Sequence, residues 1–415
     1  MKKILSNPNH VLCMAAVLLI AILCQSSSAE SPALAYIAED FPEYPFSIIA
    51  YVTTLPSLAM IIPSLLYPVL RRYFSVRPLF LVGSLLLIVF GVAPAYADSF
   101  TMVCVFRFIY GIGMGIMWPL AQSTIVELYS GTRQDTLLGF NSVITAIGGV
   151  VWGNVGGILA LQGWRVAFYT YYIPIVVLVF SFIFLPLTKP LGKKAPSTSE
   201  ADPLEASEPA PGWVLPAVLL LIAYFVFNFC TMTYFTNLAA KVIGEGIGDS
   251  ANSGFAQSMY TLGALIIGVT FGIVMRNKGV NRYAMPIAWT INIIGYFLVA
   301  ASTSFVTLCL SSIVQGFGNG MLVPAFLGLL DRIGGKKKAA LLVGLSCALS
   351  GLAQFVGPTI TNMIVEAMGL ASGSPCMFLA ATMSAVAALL CWVFYIPMER
   401  SRRKAASAAS DASAE

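Results

Sequence analysis

Charge is what this chain has least of. Only 10% of its 415 residues are charged, against roughly 25% in a soluble domain, so a water-facing surface on all sides is excluded. Histidine is almost missing. The single one, His10, stands ahead of the first apolar segment, which excludes a buried histidine relay and removes the usual ligands of haem, zinc and hydrolytic triads. The 8 cysteines are scattered singly, without a Cys-x-x-Cys pair, so metal-cluster and redox spacings are absent. No GxxxxGK[ST] loop occurs to cradle the phosphates of ATP. The net charge is +5, but the basic residues fall in short runs between apolar segments, not in a patch that would hold nucleic acid. The composition predicts no enzymatic chemistry, no cofactor, no metal and no nucleic-acid partner.

Apolar residues fill the chain, at 58%, and a lipid bilayer is the expected surroundings. Segments long enough to cross a bilayer fall near 11–31, 46–69, 78–97, 100–128, 137–161, 166–187, 213–236, 253–275, 283–303, 305–330, 339–366 and 374–397, twelve in all. Six precede and six follow a stretch rich in Pro, Ser, Ala and Glu, which reads as a linker. The expected layout is an all-α membrane protein: one six-helix bundle over 1–187, a linker over 188–212, a second bundle over 213–398 and a disordered tail over 399–415. Lys2 and Lys3, the apolar run from Val11 and then Ser28-Ala29-Glu30 imitate a cleavable signal. The run is of full spanning length, however, and its loss would leave 213–236 without a counterpart. With the N-terminus inside, all of the 23 lysines and arginines except Arg107, Arg165 and Lys241 fall on the inner side. That bias predicts a multi-pass protein of the plasma (inner) membrane, with both termini and the linker cytoplasmic and the acidic loop 39–45 outside.

One stretch, RFIYGIGMGIMWPLAQ over 107–122, organises the rest. Arg107, Gly111, Met114, Trp118 and Gln122 recur every three or four residues and share one stripe of a helix. Gly111 and Gly115 admit a second backbone beside that stripe, and Gly113 admits one on the other side. Pro119 removes a backbone hydrogen bond and bends the helix. An arginine this deep in a span costs at least ~2.5–3.5 kcal/mol in lipid, so it should face a bundle interior or a watery cavity. The same pattern returns at one constant offset: Gly316, Gly318, Gly320 and Pro324 repeat Gly111, Gly113, Gly115 and Pro119, while Arg276 and Arg282 repeat Arg71 and Arg77. The chain therefore reads as two copies of one unit.

Two roles are open to Arg107, gripping an anionic substrate or tuning a proton-carrying acid; satisfying neighbouring backbone carbonyls is the structural alternative. Glu30, near the outer end of the first segment, is the acid best placed to carry a proton, and lies equally well at headgroup level. Polar residues fall on several spans: Gln25 to Ser28, Asn141, Thr145 and Trp152, Asn228, Thr231 and Tyr234, Gln257 and Tyr260, Gln315 and Asn319. Taken together with Trp118 and Gln122 they suit a central cavity; taken singly each suits an interhelical hydrogen bond of ~0.6 kcal/mol. Tyr169, Tyr171 and Tyr172 suit an interfacial belt.

Twelve spans about a long central linker resemble the major facilitator superfamily. The resemblance rests on Arg107 with Gly111, Gly113 and Gly115, on Ser31 to Asp40, on Gly163-Trp164-Arg165 through Phe168, and on Gly272, Arg276, Gly279 and Arg282 of the second-copy loop. It implies two pseudo-symmetric bundles and alternating access, with gating at Arg71, Arg72, Arg77 and the second-copy loop. Tyr67, Arg71 and Arg276 depart from the family's loop pattern, which puts its usual latch in question. Trp152-Gly153 stands where a glycine-proline pair marks antiporters, and Gly357-Pro358 carries that pair in the second copy. The expectation is a monomeric, proton-coupled exporter of small organic molecules. Uptake of an organic anion held by Arg107 is one alternative, and a non-transporting sensor or scaffold is another.

Overall fold

The computed structural model describes residues 10–129, 132–190, 213–274, 278–390 and 392–393. The expected linker from 191 onward, Arg276 and the tail 399–415 lie outside these residues. Gly272, Gly279 and Arg282 fall on helical backbone.

Every described secondary-structure element is helical. Among the described residues, ten helices are long and apolar enough to cross a membrane. In chain order the helices are α1 (Val11–Asp40), α2 (Tyr51–Tyr73), α3 (Val76–Tyr96), α4 (Phe100–Leu128), α5 (Thr132–Ala160), α6 (Trp164–Phe184), α7 (Val214–Gly244), α8 (Ser250–Val274), α9 (Lys278–Ala301), α10 (Phe305–Leu330), α11 (Gly344–Ala367) and α12 (Ser374–Leu390). Helices α8 and α12 stand where the eighth and twelfth apolar segments were expected but are outside the ten. A loop was expected between α10 and α11; the backbone instead stays helical from Phe305 to Ala367. This run doubles back. Lys241 Nζ reaches the carbonyl of Ser302 (3.0 Å), just before the run, and the hydroxyl of Ser374 (2.6 Å), just after it.

The buried apolar residues form separate clusters. One draws only on residues from Val17 to Leu185. The two others draw only on residues from Ala217 to Ala388. The glycine repeat shows in packing as well as in sequence. A Cβ on Gly111 would come 2.5 Å from the Pro56 carbonyl oxygen of α2, one on Gly115 would come 2.5 Å from that of Met60, and one on Gly113 would press on Leu86 of α3 at 2.8 Å. In the second copy, Gly316 and Gly320 lie against the Tyr260 and Ala264 carbonyls of α8, and Gly318 against Asn292 of α9. Helix α4 is thus wedged between α2 and α3, and α10 between α8 and α9, through the same repeat positions.

Helices α1 to α6 meet α7 to α12 mainly toward one end. Glu366 of α11 accepts from the backbone N–H and the hydroxyl of Ser47, both at 2.8 Å. Ser250 donates to the Gly157 carbonyl (2.8 Å), and Gly254 lies against Gly153. At the same end Trp164 Nε1 donates to Asp40 (2.6 Å) and Arg165 to the Ala97 carbonyl (3.0 Å). On the helices nearer the end that carries Arg71, an added Cβ on Gly139, Gly268 or Gly344 would meet nothing within 4 Å.

This packing predicts opposite outcomes for two glycines. Gly111→Val should destabilise the protein by about 1–3 kcal/mol, because its branched side chain must displace the α2 backbone. Gly139→Ala, which meets nothing, should hold or raise stability by up to ~1 kcal/mol through better helix propensity. Thermal unfolding in detergent measures both, and equal midpoints would show that α2 does not lie against Gly111.

Candidate functional site

Arg107 lies wholly inside the bundle, at 0% exposure, and Glu30 beside it is at 1%. The guanidinium commits its donors in three directions. Nε donates to the Val52 carbonyl at 2.8 Å, Nη1 to the Tyr171 hydroxyl at 3.2 Å, and Nη2 to Glu30 Oε1. Its Cζ sits 4.2 Å from the centre of the Tyr110 ring, within cation–π range. Tyr171 in turn donates its hydroxyl proton to Glu30 Oε2 at 2.5 Å. The hydroxyls of Tyr110 and Ser26 lie 2.7 Å apart, and Ser26 donates to the Leu23 carbonyl at 2.7 Å, so Tyr110 donates to Ser26.

Each partner arrives through a local irregularity. Helix α1 is α-helical from Val11 to Cys24, then passes through two short 3-10 turns, Ser26–Ser28 and Ser31–Ala33, before resuming at Leu34–Asp40. Serines compete for backbone carbonyls, and Pro32 has no N–H to carry the α pattern through; Glu30 sits in the break. In α2, Pro56 cannot donate to the carbonyl four residues before it, which is Val52. That free carbonyl is the one Arg107 takes. Helix α6, after one α turn at Trp164–Ala167, passes through a 3-10 stretch, Phe168–Tyr172. At three residues per turn, Phe168 and Tyr171 face inward and stack at 6.3 Å, while Tyr169 and Tyr172 face outward and stack at 5.9 Å. Tyr171 is therefore not part of an interfacial belt, as the sequence suggested, but the third member of a buried cluster.

An ionised Glu30 balances Arg107. Placing a proton on Glu30 leaves the guanidinium buried without a counter-charge, a situation that costs ~3–5 kcal/mol when one partner of a buried pair is removed.

The other expected residues do not gather around this pair. Trp152 is buried and donates its Nε1 to the Ile22 carbonyl of α1 (2.7 Å). Gln315 donates to Asn292 of α9 (3.0 Å), and Tyr234 to Ser312 of α10 (2.9 Å). These are ties between neighbouring helices. Asn228 accepts from Ser350 (2.7 Å) and Gln354 (3.4 Å), while Gln354 accepts from Ser57 of α2 (3.1 Å). That polar chain joins α2, α11 and α7, and Ser57, Ser350 and Gln354 were not read from the sequence. Asn141 is buried with its Oδ1 unpartnered among the described residues, and Asn319 is half-buried. Trp118, at 37% exposure, and Gln122 are on the outside of α4. Pro119, Pro324 and Pro358 lie inside helices, and Gly357 fits against the Phe229 carbonyl of α7, where a Cβ would approach to 2.6 Å. Near the Arg71 end a cavity of about 530 Å³ opens between α1 and α5, walled by Val11, Met14, Leu18, Leu137 and Phe140, with Arg133 at its edge.

Two of the basic loop residues are tied within the first copy. Arg71 is 2% exposed and makes a two-pronged pair with Glu127 at the end of α4 (3.1 and 2.7 Å), with a further bond to the Phe74 carbonyl (2.7 Å). Arg77 caps the Leu185 carbonyl at the end of α6 (2.9 Å), and Arg72 is exposed. Arg71 and Arg77 thus tie α2, α3, α4 and α6 together, and among the described residues neither is seen to bridge to the second copy. Lys241, placed in an outer loop by the sequence, is fully buried in the last turn of α7, paired with Glu245 at 2.7 Å.

The sequence profile of the Major Facilitator Superfamily matches residues 16–248 and again residues 220–414. A hexuronate transporter of Bacillus subtilis (strain 168) is 23% identical over 310 residues, covering 69% of this chain and 71% of that one. The quinolone resistance protein NorA of Staphylococcus aureus is 22% identical over 291 residues, covering 68% and 72%. Among solved structures, a D-xylose–proton symporter superposes with a TM-score of 0.72 at 15% identity, over 92% of this chain and 97% of that one. A bacterial homolog of the human lysosomal transporter Spinster, inward-facing and occupied, reaches 0.74 at 14% identity, over 94% and 97%. Matched along nearly its whole length, this chain belongs to the major facilitator superfamily of membrane transporters.

Proposed function

We propose that this transporter exports a small amphipathic organic molecule in exchange for protons, with Glu30 as the proton carrier and Arg107 as its counter-charge. The observation that carries this reading is the sealed Arg107–Glu30–Tyr171 cluster. All three nitrogens of the guanidinium are engaged within the protein, so Arg107 serves the acid and not a ligand. The apolar groove between α1 and α5 supports an amphipathic substrate, since a sugar needs many paired polar groups. The likeness to NorA, named for quinolone resistance, supports export. The working unit in this reading is a monomer of two six-helix bundles, 1–187 and 213–398, that rock about the substrate, with 188–212, the tail 399–415 and both termini in the cytoplasm. Uptake of an organic anion is the second reading, favoured by the likeness to a hexuronate transporter; it requires the anion to displace Glu30 from Arg107.

Inverted membrane vesicles separate the two. Export predicts accumulation of substrate when the lumen is acid, collapse of that accumulation with a protonophore, and its loss in Glu30→Gln. Carboxylate uptake by intact cells, with no proton-driven accumulation in inverted vesicles, would favour the second reading and end the export claim.

Arg107→Ala should reduce transport to background while the protein still reaches the membrane, because Glu30 is then carried without its counter-charge. Arg107→Lys keeps the charge but cannot reproduce the planar fork to three partners, and should retain no more than about a tenth of the activity. Normal transport by the alanine variant would remove Arg107 from the coupling centre.

Topology is tested separately, with single cysteines in a cysteine-free background and an impermeant thiol reagent. Labelling in intact cells is expected within 39–45 and absent within 188–212; labelling of the linker from outside would reverse the proposed orientation.

A further inference from the structure

We propose that Tyr171 is the positioning residue of the coupling centre: its hydroxyl, held between Arg107 and Glu30, sets the pH at which Glu30 takes up and releases its proton. For its bearing on transport this role rests on the reading of Glu30 as proton carrier.

The ring has no freedom to wander. Phe168 stacks on it at 6.3 Å, Tyr110 meets it edge-on at 5.3 Å, and Gly91 of α3 faces it where a Cβ would come within 2.6 Å. Gly91 is thus the vacancy in α3 that admits the ring, and the 3-10 stretch of α6 is what turns Tyr171, and not Tyr172, into it. Fixed in this way, the hydroxyl uses both of its capacities. It accepts from Arg107 Nη1 at 3.2 Å, and its only proton goes to Glu30 Oε2 at 2.5 Å.

A donor aimed at a carboxylate favours the ionised form. Once a proton settles on Glu30, Tyr171 loses the full acceptor at which it points. The hydroxyl therefore weights the balance toward proton release without itself losing a proton. The charged and titratable side chains acting on Glu30 are Arg107 of α4 and Tyr171 of α6, with Tyr110 of α4 beside both. Arg107 is fixed in charge and the tyrosines stay neutral over the working range, so the titrating group is Glu30 alone. Purely structural service by Tyr171 would reside in its ring, which phenylalanine preserves.

The test is an infrared pH titration of the purified full-length protein, which needs no substrate. The carboxyl band of Glu30 is assigned by its loss in Glu30→Gln. In Tyr171→Phe the midpoint of that band should move up by about one unit, a tenfold gain in proton affinity, and the pH profile of proton-driven accumulation should move the same way. Tyr172→Phe, whose hydroxyl meets only that of Tyr96 at the exposed surface (3.2 Å), should leave the midpoint in place. An unchanged or lowered midpoint in Tyr171→Phe overturns the proposal, whatever happens to transport. A Glu30 band that does not titrate in either protein overturns both this role and the carrier reading. Proton-driven accumulation that survives Glu30→Gln overturns the carrier reading alone, and the infrared midpoint still decides what Tyr171 does to Glu30.

Discussion

A guanidinium fixed deep in a membrane-spanning helix must find partners inside the protein, because the bilayer core offers no water to take its N–H groups. Much of the irregular backbone in the first six helices answers that demand. Pro56 frees the Val52 carbonyl, α1 breaks at Gln25 and exposes Glu30, and α6 passes through a tighter helix that delivers Tyr171. Irregular backbone at membrane depth is tolerated only where it is enclosed by protein or lines a cavity. Here it is enclosed: Gly156 of α5 lies directly against the Ala29 carbonyl within the α1 break, where a Cβ would leave no room. The charge and the distortions that satisfy it form one unit.

The second copy keeps the packing and drops the charge. Its glycines wedge α10 between α8 and α9 as those of the first copy wedge α4 between α2 and α3. At the repeat position of Arg107, however, stands Ser312, which accepts a hydrogen bond from Tyr234 at 2.9 Å. Small residues at those positions serve close approach, a need both copies share. A buried ion pair serves no packing purpose that a serine–tyrosine hydrogen bond cannot meet at lower desolvation cost. The difference between the copies therefore isolates what the first one holds beyond packing at this position, which is a buried ion pair.

Much of this was legible in the sequence, because composition, segment length and helical spacing act within one segment at a time. The depth of Arg107, the two-sided packing of its helix and the repeat all follow from spacing along the chain. Which helices touch does not. Glu30 and Arg107 were both recognisable, but their pairing depends on the break in α1. Tyr171 was misplaced because a 3-10 stretch changes the period from 3.6 to 3 and exchanges the faces of Tyr171 and Tyr172. Val52 acts through its backbone and carries no side-chain signal; the available clue was Pro56, four residues on. Lys241 looked like a loop residue because apolar character fades after 236, yet nothing between there and Gly244 breaks a helix, and α7 carries it into contact with α9 and α12. Trp152 and Gln315 sat on convincing polar stripes, but each donates a hydrogen bond to an adjacent helix.

Among the described residues, no buried apolar cluster spans the junction between α1–α6 and α7–α12. The described polar links across it are mostly isolated hydrogen bonds and glycine-lined backbone approaches, such as Ser250 with the Gly157 carbonyl and Gly153 with Gly254. In lipid, apolar surface gains little by leaving the bilayer for a protein partner, so an interface of this kind parts more readily than a packed core. The Glu30 cluster lies inside the first core, yet the segment immediately after it, Ser31–Ala33, touches α7 and α8. The break in α1 is thus both the cradle of the titratable acid and part of the surface on which the two sets of helices meet. The backbone that holds the buried pair and a stretch that meets the second set of helices are therefore continuous in α1.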